Sequence, residues 1–209
     1  MKRTWLWIVL ASLLVSFFPM AASAQNHLSE NTVSFGFKIR AGGRYDDVRM
    51  CVATPAGTKI GPAMDVSFVT EWVLRDNLIL SLNLPVFRPI LFATKFHMLQ
   101  FEPDLTLKFV RKQSDQIDLV AGPSLGFSLH YGPDYRSEPD GDLRGPSFFA
   151  LGPRVGAYFG MNFNRPNEEF DFQLGLSPYV TPLFSIDDPD SHRGLVVGGS
   201  LDGLFRFNR

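Results

Sequence analysis

The sequence predicts an all-β fold, an eight-stranded antiparallel up-and-down barrel, and three observations carry that reading. Apolar residues recur with a period of two over eight separate stretches, so each stretch has one greasy and one polar face. The connections between the stretches alternate long and short without exception. The polar face is packed with glycine and serine as well as charge. Glycine weakens a strand, so a water-exposed face has no use for it, whereas the inside of a narrow barrel needs small residues so that opposing side chains do not collide.

Residues 33–41 alternate Val33, Phe35, Phe37 and Ile39 with Ser34, Gly36, Lys38 and Arg40. A connection rich in Gly, Asp and Pro, 42–61, leads to residues 63–74. There Met64, Val66, Phe68, Trp72 and Leu74 oppose Asp65, Ser67 and Glu71. A tight turn at Arg75, Asp76 and Asn77 starts the third strand at Leu78. Leu80, Leu82, Leu84 and Val86 oppose Ser81 and Asn83, and Pro85 and Pro89 mark its end. After a long connection, residues 99–110 set Leu99, Phe101, Leu105, Leu107 and Phe109 against Gln100, Glu102, Asp104, Thr106 and Lys108.

The cleanest alternation runs over 117–131, with Asp118, Gly122, Ser124, Gly126, Ser128 and His130 on the polar face. The connection 132–146 is polar and charged. Residues 149–163 follow, carrying Arg154, Gly156, Gly160 and Asn162 on the polar parity. Residues 170–181 set Phe170, Phe172, Leu174, Leu176 and Val180 against Asp171, Gln173, Gly175 and Ser177. The closing strand, 194–207, puts Leu195, Val197, Leu201, Phe205 and Phe207 on one side and Gly198, Ser200, Asp202 and Arg206 on the other. Pro103, Pro123, Pro153 and Pro178 fall inside strands, where proline removes a ladder donor, and bulges or strand breaks are expected there.

The first residues stand apart from this pattern. Lys2 and Arg3 precede an apolar run from Trp5 to Phe18, then Ala22, Ser23 and Ala24. That is the layout of a secretory signal peptide over 1–24, cleaved after Ala24, with an uncleaved anchor as the alternative. A short lead, 25–32, then enters one domain over 33–209. With Lys2 and Arg3 removed, 18 basic residues face 21 acidic ones, a formal charge of −3, and no basic stripe marks a nucleic-acid partner. The single cysteine, Cys51, excludes an intramolecular disulfide framework and reads as an inert loop thiol.

Alternation alone fits a soluble or a membrane barrel. The glycine-rich face, the loop lengths and the aromatics choose the membrane. Short turns and long loops match the periplasmic and outer ends of a transmembrane β-barrel. Trp72, Phe109, Phe163, Phe170, Phe172, Phe205 and Phe207 gather near the short-turn rim. Phe101, Phe127, Tyr131 and Phe149 gather near the other, as two aromatic girdles. Signal peptide, eight alternating strands and a last strand ending Leu204-Phe205-Arg206-Phe207 resemble the small bacterial outer-membrane β-barrel families, including OmpA-like and OmpX-like barrels and the PorT-type domain. The resemblance covers 33–207. It implies insertion by the barrel-assembly machinery, with Phe205 and Phe207 at the aromatic positions of its signal. It further implies outer-membrane lipid and lipopolysaccharide as surroundings.

The inward charges are the main polar set: Lys38, Arg40, Lys108, Arg154 and Arg206 against Asp65, Glu71, Glu102, Asp104, Asp118, Asp171 and Asp202. Burial in so narrow a barrel requires pairing, so a salt-bridged plug is expected, with Arg154 reaching Glu102 and Asp104. His130 and Ser128 share the inward face, but no carboxylate evident in the sequence orients them for nucleophilic work. His27, His97 and His192 lack metal-ligand spacing, and Asp187, Asp188 and Asp190 lack that of a calcium loop. Arg88, Lys95, Arg136, Arg144 and Arg193 sit in the long connections, where they could meet lipopolysaccharide phosphates or simply be solvated. The expected role is non-enzymatic, structural or surface-binding, with no cofactor and no catalytic or metal residue assigned. A lipid-A-modifying enzyme and a small porin-like channel are the alternatives.

Overall fold

The structure, a computed structural model, describes residues 33–46, 60–87, 99–133, 147–163, 170–186 and 193–207. They form the strands β1 (Val33–Asp46), β2 (Ile60–Arg75), β3 (Leu78–Phe87), β4 (Leu99–Phe101), β5 (Asp104–Lys112), β6 (Ile117–Pro133), β7 (Ser147–Phe163), β8 (Phe170–Ser185) and β9 (Arg193–Phe207). The short β4 and β5 are two pieces of one wall strand, since both pair antiparallel with β6. Every other neighbour in sequence is also a neighbour in the sheet. β1 pairs with β2 on one edge and with β9 on the other, which closes the wall. The result is a closed, eight-stranded antiparallel barrel. The expected signal peptide and lead, 1–32, lie outside the described residues, as do Asn208 and Arg209.

The alternation read from the sequence becomes an inside and an outside. On β1, Phe35, Phe37 and Ile39 are exposed on the outer wall while Lys38 and Arg40 are buried. On β9, Leu201 and Phe205 are exposed while Asp202 and Arg206 are buried. An ordinary soluble protein buries its largest apolar side chains. Here Leu125 is 63 % exposed and Leu201 57 %, whereas Lys108 and His130 are fully buried. That inversion is what a lipid-facing barrel needs.

The ends are longer than the sequence pattern marks. β1 runs on past Ala41 to Asp46, and β8 runs on to Ser185. The prolines behave differently from expectation. Pro103 does break a strand, separating β4 from β5, yet the register against β6 is the same on both sides. Pro123, Pro153 and Pro178 stay inside continuous strands. Each interrupts pairing on one edge only. Along β7 and β8, pairing lapses between Leu151↔Phe184 and Val155↔Val180, and again between Gly156↔Tyr179 and Phe159↔Leu176. On the opposite edges Pro153 pairs with Phe127 and Pro178 with Gly199, so the register is held. A missing N–H removes one ladder bond on one side of a strand and leaves the other side intact. The register shifts lie elsewhere, between β2 and β3 at Val66/Ser67 and Val73/Arg75.

Candidate functional site

The buried charges stack inside the barrel in three tiers. In the lowest, nearest the short turns, Glu71 of β2 receives Lys108 of β5 at 2.5 Å and Arg206 of β9 at 3.1 Å. Lys108 also donates to Gln173 Oε1 at 2.7 Å, and Arg206 donates to Asn162 Oδ1. The Tyr158 ring lies beneath two ammonium groups, 4.9 Å from Lys108 Nζ and 5.6 Å from Lys38 Nζ. These contacts join β2, β5, β7, β8 and β9 across the lumen.

Arg40 of β1 organises the middle tier. Its Nη2 meets Asp104 Oδ2 at 2.9 Å and its Nε lies 3.7 Å from Asp202 Oδ2. Asn83 and Thr106 donate to Asp104 Oδ1 at 2.7 and 3.2 Å. Ser177 and Ser200 donate to the two oxygens of Asp202 at 2.5 and 2.7 Å. Accepting several hydrogen bonds offsets the cost of burying these carboxylates.

Glu102 is the centre of the upper tier, nearest the long connections. Arg154 Nη1 donates to its Oε2 at 2.8 Å, and the Arg154 guanidinium also lies 3.6 Å from the centroid of the Tyr179 ring. Its Oε1 accepts from Ser128 Oγ at 2.9 Å, has His130 Nε2 at 2.9 Å, and has Arg44 Nη1 at 3.4 Å. Arg44 Nη2 donates as well to Gln100 Oε1.

The expected inward set is found on the lumen side, but its pairing differs in one respect. Arg154 takes Glu102 as expected, whereas Asp104 is taken by Arg40. Asp118 and Asp171 are only half-buried, at the short-turn rim. Arg44 and the inward tyrosines are absent from the sequence reading. The run Arg40, Gly42, Arg44, Asp46 continues the period of two, and that signal would have found Arg44. Some of the inward glycines also have a different reason. A Cβ at Gly160 would meet the Tyr158 hydroxyl at 2.6 Å, and one at Gly198 would meet the Tyr179 ring at 2.6 Å. These glycines make room for tyrosines on the same or the adjacent strand, not for side chains across the lumen.

The structure supplies the carboxylate that Ser128 and His130 lack in the sequence, yet it does not build a relay. In a nucleophilic triad one imidazole nitrogen faces the hydroxyl and the other the carboxylate. Here Ser128 Oγ and Glu102 Oε1 both face Nε2, at 2.8 and 2.9 Å, and Nδ1 meets no partner among the described residues. Ser128 and His130 are 0 % exposed, so no substrate reaches them in this state. His27, His97, His192, Cys51, Asp187, Asp188 and Asp190 lie outside the described residues. Among those described, no group of three or more metal-binding side chains assembles.

On the outer wall the aromatics fall where the register puts them. Phe172 packs on Phe163 and Phe205 with centroids 5.9 and 5.0 Å apart, and Phe207 pairs with Phe35, all at the short-turn end. Tyr131 and Phe149, 4.4 Å apart, and Phe101 and Phe127, 6.1 Å apart, lie at the other. Two girdles flank an apolar band on a closed wall. Among solved structures the chain is similar to Neisserial surface protein A (NspA), with a TM-score of 0.53 at 10 % identity. The likeness covers 85 % of this chain and 99 % of that one. The chain shares the fold of the small outer-membrane barrels. It also aligns with Ail, the attachment invasion locus protein of Yersinia pestis, at 12 % identity over 86 % of this chain and 100 % of that one, with a TM-score of 0.31. No protein-family model matches the chain, and no curated protein does.

Proposed function

We propose that this protein is an outer-membrane β-barrel with a structural or surface-interaction role, exerted through the four long connections at its outer end, with the lumen closed by paired charges. The observation that carries the reading is the three-tier network. Glu71, Asp104 and Glu102 each bridge cations or donors from strands on different sides of the barrel, and this fills the lumen of a narrow barrel with side chains. A barrel closed in this way serves its cell through what it presents at its rim. The apolar outer wall and its girdles support placement in lipid, where a closed wall leaves no unpaired strand edge.

Export through a signal peptide over 1–24 and insertion by the barrel-assembly machinery belong to the same reading, as does contact with lipopolysaccharide. Of the five cations expected in the long connections to meet its phosphates, Arg88, Lys95, Arg136 and Arg144 lie outside the described residues, whereas Arg193 is the first residue of β9, paired with Phe184, and not part of a connection. The test is to place epitope tags in the four long connections and label intact cells, while recording planar-bilayer conductance and the lipid A mass spectrum with and without the gene. Surface-accessible tags, silent bilayers and unchanged lipid A are expected. Steady single-channel conductance, or a lipid A species that depends on the gene, would replace this reading with a channel or an enzyme.

A further inference from the structure

Arg75 at the end of β2 and Arg111 near the end of β5 are the two exposed arginines among the described side chains. Neither guanidinium makes an ion pair or a hydrogen bond to another described residue, whereas their neighbour Lys112 is held by Asp115 at 2.8 Å. Both arginines face outward. Arg111 is directly opposite Leu119 and continues the outer side of β5 past Phe109. Strict alternation would turn Arg75 inward with Val73, but the register shift at Val73/Arg75 sets it opposite Leu78, which is in turn opposite Phe109. Residues opposite one another in an antiparallel pair share a face, and a bulge re-aims the side chain next to it. One strand, β3, lies between the two arginines, so their backbones are on the order of 10 Å apart around the wall.

The charges on this outer corner do not cancel. Asp115 is taken by Lys112, and Asp118 lies opposite Lys112 on the inner side of the wall. Asp76, exposed in the turn between β2 and β3, is the one acid left against the two outward cations among the described residues. Immediately toward the membrane lie Leu74, 46 % exposed, and Phe109, 45 % exposed. A cationic pair beside an apolar surface fits an amphiphile with an anionic head. We propose that Arg75 and Arg111 bind the phosphate of an anionic phospholipid in the leaflet at the short-turn end, with its acyl chains along Leu74 and Phe109. The forked guanidinium donors suit phosphate oxygens, and the excess of one positive charge favours a lipid whose head brings no cation of its own. The proposal rests on the lipid-facing placement of the wall. Its site is at the opposite end of the barrel from the connections that would meet lipopolysaccharide.

Trp72 is the only tryptophan after residue 24, and it stands on the same strand as Arg75, so it reports on the lipid at this corner. The experiment reconstitutes the mature barrel into phosphatidylcholine vesicles that contain the same small fraction of either phosphatidylglycerol or phosphatidylcholine brominated on the acyl chains. Bromine quenches tryptophan only at close range. One unbalanced cation near a membrane surface enriches an anionic lipid about fivefold, so brominated phosphatidylglycerol should associate near Trp72 about five times more strongly than brominated phosphatidylcholine. Arg75→Gln and Arg111→Gln should each bring that preference near one, because Asp76 then balances the remaining cation, and Asp76→Asn should raise it. Inorganic phosphate at constant ionic strength should leave the preference unchanged; its loss in phosphate would make the ligand a free anion and overturn the lipid. Equal quenching by the two brominated lipids overturns the proposal while leaving the wall in lipid. So does a preference that survives the double variant Arg75→Gln/Arg111→Gln. Absence of quenching by either lipid removes the lipid-facing assignment itself, and the site with it.

Discussion

Replacing Arg154 with alanine tests the upper tier. The side chain is 5 % exposed, donates to Glu102 Oε2 at 2.8 Å and stacks on Tyr179 at 3.6 Å. Removing one partner of a buried pair costs about 3–5 kcal/mol when the remaining charge is left alone. Glu102 is not left alone, because Arg44, Ser128 and His130 stay on Oε1. The loss of the charge-assisted bond, roughly 1.5–3 kcal/mol, adds to that of the guanidinium–ring contact, about 0.5–2 kcal/mol, and places the total near 3 kcal/mol. With a urea slope of about 2 kcal/mol per molar, the unfolding midpoint in detergent should fall by about 1.5 M. A cycle with Glu102→Gln should show coupling of about 2 kcal/mol, because the two residues share one bond. If the lumen were wet, solvent would screen the pair and the loss would stay under about 1 kcal/mol. A midpoint shift below about 0.5 M, roughly a third of that expected, would refute the reasoning.

Gly175→Ala should destabilise by about 1–3 kcal/mol, since its Cβ would run into the Tyr158 ring; combination with Tyr158→Leu should recover most of the loss, as read by urea titration. The folded barrel should migrate differently on gels before and after boiling, because the β1–β9 seam closes the wall; equal migration of the two samples would count against closure. Deleting residues 204–209 removes Phe205 and Phe207 from their pairing with β1 and β8, and an unpaired edge cannot lie in lipid. That chain should be missing from the membrane fraction, and normal levels there would defeat the argument.

The wall of this barrel is legible in the sequence because the period of two is a direct imprint of its two environments. Phe35, Phe37 and Ile39 against Lys38 and Arg40 fix which way β1 faces without any reference to its neighbours. The pairing inside the lumen is not legible in the same way. Which carboxylate Arg154 meets depends on the stagger between strands: Asp104 and Glu102, two residues apart on the same face, are equivalent by periodicity, and the fold gives Asp104 to Arg40 and Glu102 to Arg154. Arg44 was obscured by Gly42 and Gly43, which read as a loop although β1 continues through them. The glycines under Tyr158 and Tyr179 show the same limit, for their partners on the next strand depend on register. The carboxylate beside Ser128 and His130 comes from β4–β5, some 26 residues away in sequence, so local spacing could not reveal it.

On the closing strand Leu201, Phe205 and Phe207 point outward, and Asp202, Leu204 and Arg206 point into the lumen. Single cysteines introduced one at a time from Leu201 to Phe207, in a Cys51→Ser background that removes the chain's one native thiol, can be labelled with a fluorophore after reconstitution into vesicles. Quenchers attached to the lipid chains should quench labels at Leu201, Gly203, Phe205 and Phe207. They should leave Asp202, Leu204 and Arg206 untouched or poorly labelled. Quenching that ignores parity, or that falls on the even positions, would contradict the assignment of inside and outside on which everything else rests.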